Sequence, residues 1–433
     1  VSWREQQGYR VLTVDVEDVF DDFNGGLPSC EAIRRLVRHG VYDWGVDFVL
    51  LVGDGSEDHK RIFYDESGLR GSGPDLVPPY SFSVDVIGST YDDEVVASDK
   101  YYAYLDEDYP QEGLPDVFVG RLPVGEGLEL RALLNKIRNY EEAGGDLRWR
   151  RRVALFADDA WSDYPNYRYK PGEEHFEEGM ERIAGFIEES LPGGFDVQRL
   201  FLSSWTDSIH EVGESGVAVF SEATDSTRTY FTPYLLARLN EGALFFSFQG
   251  HAHRAHLSSE SGFSMFSQYR DLNRLTAARN FIFMGAGCHI SHFALANELG
   301  RLTDGPNGDC ISEQMLFKSV AGAVSTYAST GFEVLDQNEY FFDRLHRTIF
   351  QTPPADSIPP AAGGTGAHWV FGKMITMAEI EHIGATYYGF DQTFRYLILG
   401  DPMVDIHPGP PNMSAEADWR EGWTEIGSDT LRS

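Results

Sequence analysis

Apolar-rich runs of five to seven residues recur along the chain and are separated by stretches of helical periodicity. Runs at 153–157, 196–202, 244–248, 281–285 and 323–328 read as strands, and the periodic stretches at 176–190 and 312–319 read as helices between them. Strands that are nearly continuous in apolar residues, not alternating, are covered on both faces, which is the habit of parallel sheets flanked by helices. Before residue 150 the same signals predict a smaller α/β unit. Its strands fall at 9–14, 48–52 and 117–120, and its helices at 29–39 and 128–142, the second rich in Leu, Ile and Arg. The pattern divides the chain into an N-terminal α/β subdomain over 1–150, a parallel-sheet subdomain over 151–408, and a polar, Pro-containing linker or tail over 409–433.

Two of the apolar runs carry candidate chemistry. FFSFQGH delivers His251 and FIFMGAGC delivers Cys288, each three residues past the end of a predicted strand. Sites in open α/β sheets collect at the carboxyl ends of strands, so neighbouring strands of this kind would bring an imidazole and a thiol to one edge. A thiol with a pKa of about 8.5 is mostly protonated at neutral pH, and a nearby imidazole raises the thiolate fraction and later protonates the leaving amine. His251 is the candidate base and acid, and Cys288 the candidate nucleophile. Glycines at 250, 285 and 287 leave room for a substrate backbone, and the amides of Ala252 and Cys288 are the expected oxyanion hole.

Composition narrows the partners. With 68 acidic against 35 basic residues, the formal net charge is -33, which makes nucleic acid and anionic membrane surfaces poor partners and favours cations and basic substrates. No apolar run approaches the roughly 18 residues that a membrane span needs. A chain of 433 residues with 42% hydrophobic content can bury a large core. Cys30, Cys288 and Cys310 are too few for a disulfide framework, and an odd thiol is a flag for reactivity.

A rival chemistry lies in the histidines. His251, His253 and His256, with His289 and His292 beside Cys288, together offer a zinc ligand set, and a metallohydrolase would need three of them to converge on one point. A second acidic constellation, LDEDYPQEGLPD, supplies Asp106, Asp108 and Asp116 with Gly113 between them, the hard oxygen ligands suited to calcium.

The motif order resembles one known family across nearly the whole chain. WREQQGYRV at the start, VEDVFDDFNGG, FVLLVGDG, SDKYY, LPDVFVGRLP, the GH and AGC motifs, and LGDP occur in the order found in the gingipain family of cysteine peptidases. The departure is Ala252, where the family carries a second glycine after the histidine. The resemblance implies a caspase-like catalytic subdomain, a secreted endopeptidase acting on protein or peptide substrates, and structural calcium in the loop of Asp106, Asp108 and Asp116. It further implies a carboxylate that holds the catalytic imidazole, for which Asp159 is the best match with Asp158 one residue out of register. It also implies an acidic selector for a basic residue before the scissile bond, for which Asp163, Glu173 and Glu174 are available. By the same comparison the chain begins inside the family's first helix, without its preceding strand, and further domains would lie beyond both ends. Transfer of the acyl group to an amine, as in sortase-like members, or loss of turnover remain open alternatives alongside the zinc hydrolase.

Overall fold

The computed structural model describes residues 1–56, 75–84, 94–106, 113–162, 168–191, 194–206, 227–294, 309–351, 369–387 and 389–409. Its centre is an eight-stranded sheet. In chain order the strands are β1 (Phe48–Val52), β2 (Phe118–Leu122), β3 (Arg152–Ala157), β4 (Asp196–Phe201), β5 (Phe245–Gln249), β6 (Phe281–Ala286), β7 (Ala323–Ser329) and β8 (Tyr396–Gly400). Across the sheet they run β1-β2-β8-β7-β6-β5-β3-β4. All neighbours are parallel except β7 and β8, which pair antiparallel. The last strand in sequence therefore sits between the early strands and the later block, so that one sheet includes strands from both sides of residue 150.

Side-chain alternation explains the two-sided burial. Val153, Leu155 and Ala157 of β3, Phe245 of β5, and Ile282 and Met284 of β6 enter one core, together with the helices His175–Ser190, Leu335–Gln351 and Phe371–Ala385. Ala154, Phe156, Phe246, Phe248, Phe281 and Phe283 point the other way, into a second core closed by the helix Thr232–Glu241 and by Ile311 and Met315. Period-two alternation between two apolar layers is what an all-apolar run in a parallel sheet encodes. A third core gathers the N-terminal helices Val16–Asn24 and Cys30–Trp44 against β1 and β2.

The expected strand at 9–14 is not formed: the stretch is irregular and pairs with nothing among the described residues. Leu12 and Val14 are exposed, and only Tyr9 packs, its ring edge-on to Phe48 at the sheet's outer strand. An apolar run without an inward face has too little burial to hold it in a ladder. The helix expected at 29–39 continues to Trp44 and stops at Gly45, whose φ of 70° is the left-handed helix terminator. The 410–433 part of the tail lies outside the described residues. No helix among those described is long and apolar enough to cross a membrane.

Candidate active site

β5 and β6 are adjacent and parallel, and Gln249 is in register with Ala286. Two residues beyond that pair on each strand stand His251 and Cys288. The chain ends approach closely there: a Cβ on Gly287 would lie 2.7 Å from the Gly250 carbonyl and 2.8 Å from the Ala252 Cβ, so only glycine fits. The main-chain N–H of Gly250 in turn donates to the Ala286 carbonyl at 3.1 Å. The sheet itself thus fixes the imidazole and the thiol at the same level of one edge.

Cys288 is half-buried, and its sulfur accepts the main-chain N–H of Glu333 at 3.4 Å. That N–H comes from the loop after β7, which is held from several sides. The Ser329 hydroxyl accepts from the Gly331 N–H at 3.1 Å and donates to the Glu333 carboxylate. Arg395, directly before β8, donates to the Phe332 carbonyl at 2.6 Å. His289, directly after the thiol, has φ 58°, a left-handed conformation uncommon for a residue with a side chain, and its N–H is taken by Gly331 at 2.9 Å. Such strained positions gather at functional sites.

His251 is held from two directions. Its main-chain N–H donates to Asp158 Oδ2 at 3.0 Å. Its ring Nε2 lies 3.0 Å from Glu173 Oε1, and the edge of Phe176 packs against the ring. Burial lowers the imidazole pKa, but the Glu173 contact and the charges of Asp158 and Glu173 outweigh it, and the net shift is upward. Glu173, expected in a selector loop, is therefore the carboxylate that meets the imidazole. The chain returns it to the site through a short hairpin in which Trp161 pairs with Tyr169, closed by the Lys170 N–H bonded to the Ala160 carbonyl at 2.8 Å. Glu174 accepts the Gly172 N–H, and Asp163 lies outside the described residues.

Asp158 and Asp159 follow β3 and are both buried. Asp158 accepts the N–H groups of His251, Ser259 and Asp159, while Asp159 accepts that of Trp161 at 2.9 Å. Burial pushes the Asp158 carboxyl up to about 6, opposed by His251 and those N–H groups. Glu260, also buried, completes a trio whose ligand oxygens all lie within 4.8 Å of one another, a group that could hold a metal ion. It is the sole group of three or more acidic, histidine or cysteine side chains at that spacing among the described residues. The five histidines of the zinc reading, all described, do not converge: His253 and His256 lie 5.6 Å apart by ring centre, His289 and His292 5.5 Å, and no three present ligand atoms to one point. Burial lowers His253 to about 4 and His256 to about 3, leaving both neutral. In the acidic loop, Asp106 and Asp116 are described and Asp108 is not; the Asp116 carboxylate accepts the Leu105 N–H at 3.0 Å.

The other thiols differ from Cys288. Cys310 is fully buried and its thiol is pushed well above the ordinary range by burial and by Glu313; Cys30 is raised by burial too.

A family model described as peptidase family C25 matches residues 1–407. No curated protein matches the chain. Among solved structures, the Arg specific cysteine proteinase gingipain R (RgpB) is similar with TM-score 0.62 and 15% identity, over 94% of this chain and 74% of that one. The complex of Porphyromonas gingivalis RgpB pro- and mature domains gives the same score and identity over 94% and 76%. At that identity the likeness is one of fold, and it is the fold expected from the motif order.

Proposed function

We propose that this chain, which belongs to peptidase family C25 and is thus a cysteine peptidase, cleaves peptide bonds through a thioester on Cys288, with His251 as general acid and base and Glu173 as the carboxylate that holds the imidazole. The observation that carries the reading is the register of β5 and β6, which sets His251 and Cys288 level on adjacent strands, with a main-chain N–H already directed at the sulfur.

The chemistry follows from those contacts. With Nε2 turned to Glu173, Nδ1 is the ring nitrogen for proton exchange with the thiol. The Glu173 charge favours imidazolium, and an imidazolium beside the sulfur favours thiolate. Attack on the scissile carbonyl forms the carbon–sulfur bond, and negative charge develops on the carbonyl oxygen. The main-chain N–H groups of Cys288 and Ala252 are the proposed donors to it. Imidazolium then protonates the leaving amine, and the neutral ring later takes a proton from the water that hydrolyses the thioester.

Substrate choice belongs to the same proposal. Gingipain R is described as Arg specific, and a net charge of -33 favours cationic peptides here. With Glu173 occupied by the imidazole, Asp163 is the remaining acidic candidate for a bidentate partner of a guanidinium. Secretion and a structural calcium in the loop of Asp106, Asp108 and Asp116 complete the reading.

Peptide substrates with Arg, Lys or neutral residues before the scissile bond, offered to the unsubstituted chain and to Cys288→Ala, test it. Turnover should favour the cationic peptides and fall by on the order of 10⁴-fold or more in Cys288→Ala, since a covalent route has no substitute for its nucleophile. Retained turnover in a folded Cys288→Ala chain would refute it.

A further inference from the structure

We propose that Asp158, Asp159 and Glu260 form a binding site for one calcium ion beneath the His251 loop, and that this ion braces the loop for catalysis. Glu260 is 1% exposed, and neither of its carboxylate oxygens makes a well-formed hydrogen bond among the described residues; its polar contacts are its own main-chain N–H and the Asp158 carboxyl, which brings no donor when ionised. A buried carboxylate without well-formed hydrogen bonds is costly, and such groups in proteins are protonated, paired, or ligated to a metal. The oxygens of all three side chains lie within 4.8 Å of one another. That is the span of two oxygens on opposite sides of an ion bound at about 2.4 Å, the middle of the calcium range.

The chemistry of the donor set selects the ion. Carboxylate oxygens alone, without imidazole or thiolate, suit a hard cation and not zinc or copper. Magnesium holds its waters tightly and prefers sites that leave several in place, whereas calcium accepts a dry, oxygen-rich and irregular cage.

The position gives the ion a consequence. Asp158 also carries the main-chain N–H groups of His251 and Ser259, at 3.0 and 3.3 Å. A cation shared by Asp158, Asp159 and Glu260 would tie the end of β3 to both ends of the 251–260 loop. Without it three buried carboxylates repel one another at the base of the loop that presents the imidazole. The binding claim stands apart from the peptidase mechanism proposed above, while the effect on turnover rests on it.

The experiment uses the Cys288→Ala chain, which removes self-cleavage, stripped with a chelator and titrated with calcium chloride by calorimetry. It is compared with the same chain carrying Glu260→Gln. One calcium per chain should bind at least tenfold more weakly in the Glu260→Gln chain, and calcium should raise its Tm less than that of the parent. Terbium offers a second readout through sensitised emission, because Trp161 adjoins the site, its main-chain N–H donating to Asp159 Oδ1 at 2.9 Å. That emission should fall in Glu260→Gln. If Glu260→Gln does not fold, Asp159→Asn takes its place. In the active chain, calcium removal should lower kcat, and Glu260→Gln should be low already and insensitive to calcium. Identical calcium binding and identical Tm shifts in parent and variant would overturn the site. So would a Glu260→Gln chain more stable than its parent at every calcium concentration, the mark of a proton shared by Asp158 and Glu260 in place of a cation. Loss of calcium binding with turnover unchanged would leave the ion but overturn its role in bracing the loop.

Discussion

Arg121 and Glu260 are equally buried, yet the molecule treats them in opposite ways. Every side of the Arg121 guanidinium is used: both oxygens of Asp99 at 2.7 Å, the carbonyls of Gly53 and Val77 at 2.7 and 2.8 Å, and the ring of Phe293 below. Arg4 is similar, its guanidinium shared between Glu141 and, from the far end of the chain, Asp401. Around the His251 loop the balance is reversed. Asp158, Asp159 and Glu260 gather three carboxylates, and neither Glu260 oxygen makes a well-formed hydrogen bond among the described residues. Buried charge that is saturated by its own neighbours holds the scaffold together; buried charge with unused capacity lies where a ligand or a reacting group completes it.

The scaffold side of this contrast predicts the largest stability change. Arg121→Leu leaves Asp99 buried without its partner and should destabilise the fold by about 3–5 kcal/mol, whereas Arg121→Leu combined with Asp99→Leu should recover much of that loss. Denaturant melts of the two variants measure the difference, and equal destabilisation by both would remove the contrast.

The site side predicts a smaller, purely catalytic change. Glu173→Gln should lower kcat by about 10²-fold or more, within the range of a lost acid–base contribution, with little loss of stability because Glu173 meets a half-exposed ring. The sign of its pH effect is fixed by the upward shift of His251. Loss of the Glu173 charge lowers the imidazole pKa, so imidazolium disappears at lower pH and the alkaline limb of kcat/KM moves to lower pH. An unmoved limb would mean that Glu173 does not act on the catalytic proton.

Much of this arrangement can be read from the sequence, and the parts that cannot have physical reasons. β3, β5 and β6 are legible because burial on both faces keeps them almost wholly apolar, and His251 and Cys288 are conspicuous because glycine follows the apolar run in each case. β8 is harder. Its residues, Tyr396–Gly400, follow a seven-residue helix directly, and nothing in so short a run tells that it inserts between β2 and β7, parallel to the first and antiparallel to the second. Glu173 is visible as an acid, but its partner is not: fourteen residues separate it from Asp158, and only the hairpin of Trp161 and Tyr169 brings it to the imidazole. Glu260 stands in a polar serine-rich turn, SSESG, which reads as solvated surface until the loop is seen to fold beneath His251. In each case tertiary contact, not local pattern, decides the role.

The central claim is that Cys288 is the nucleophile, and timed alkylation with iodoacetamide tests it most directly. Samples quenched along the reaction would be assayed for peptidase activity and digested to locate the label by mass spectrometry. Labelling follows thiolate fraction and exposure, so Cys288 should react far faster than Cys30 or the fully buried Cys310, with activity falling in step with its modification. Activity that persists with Cys288 fully alkylated would contradict the account.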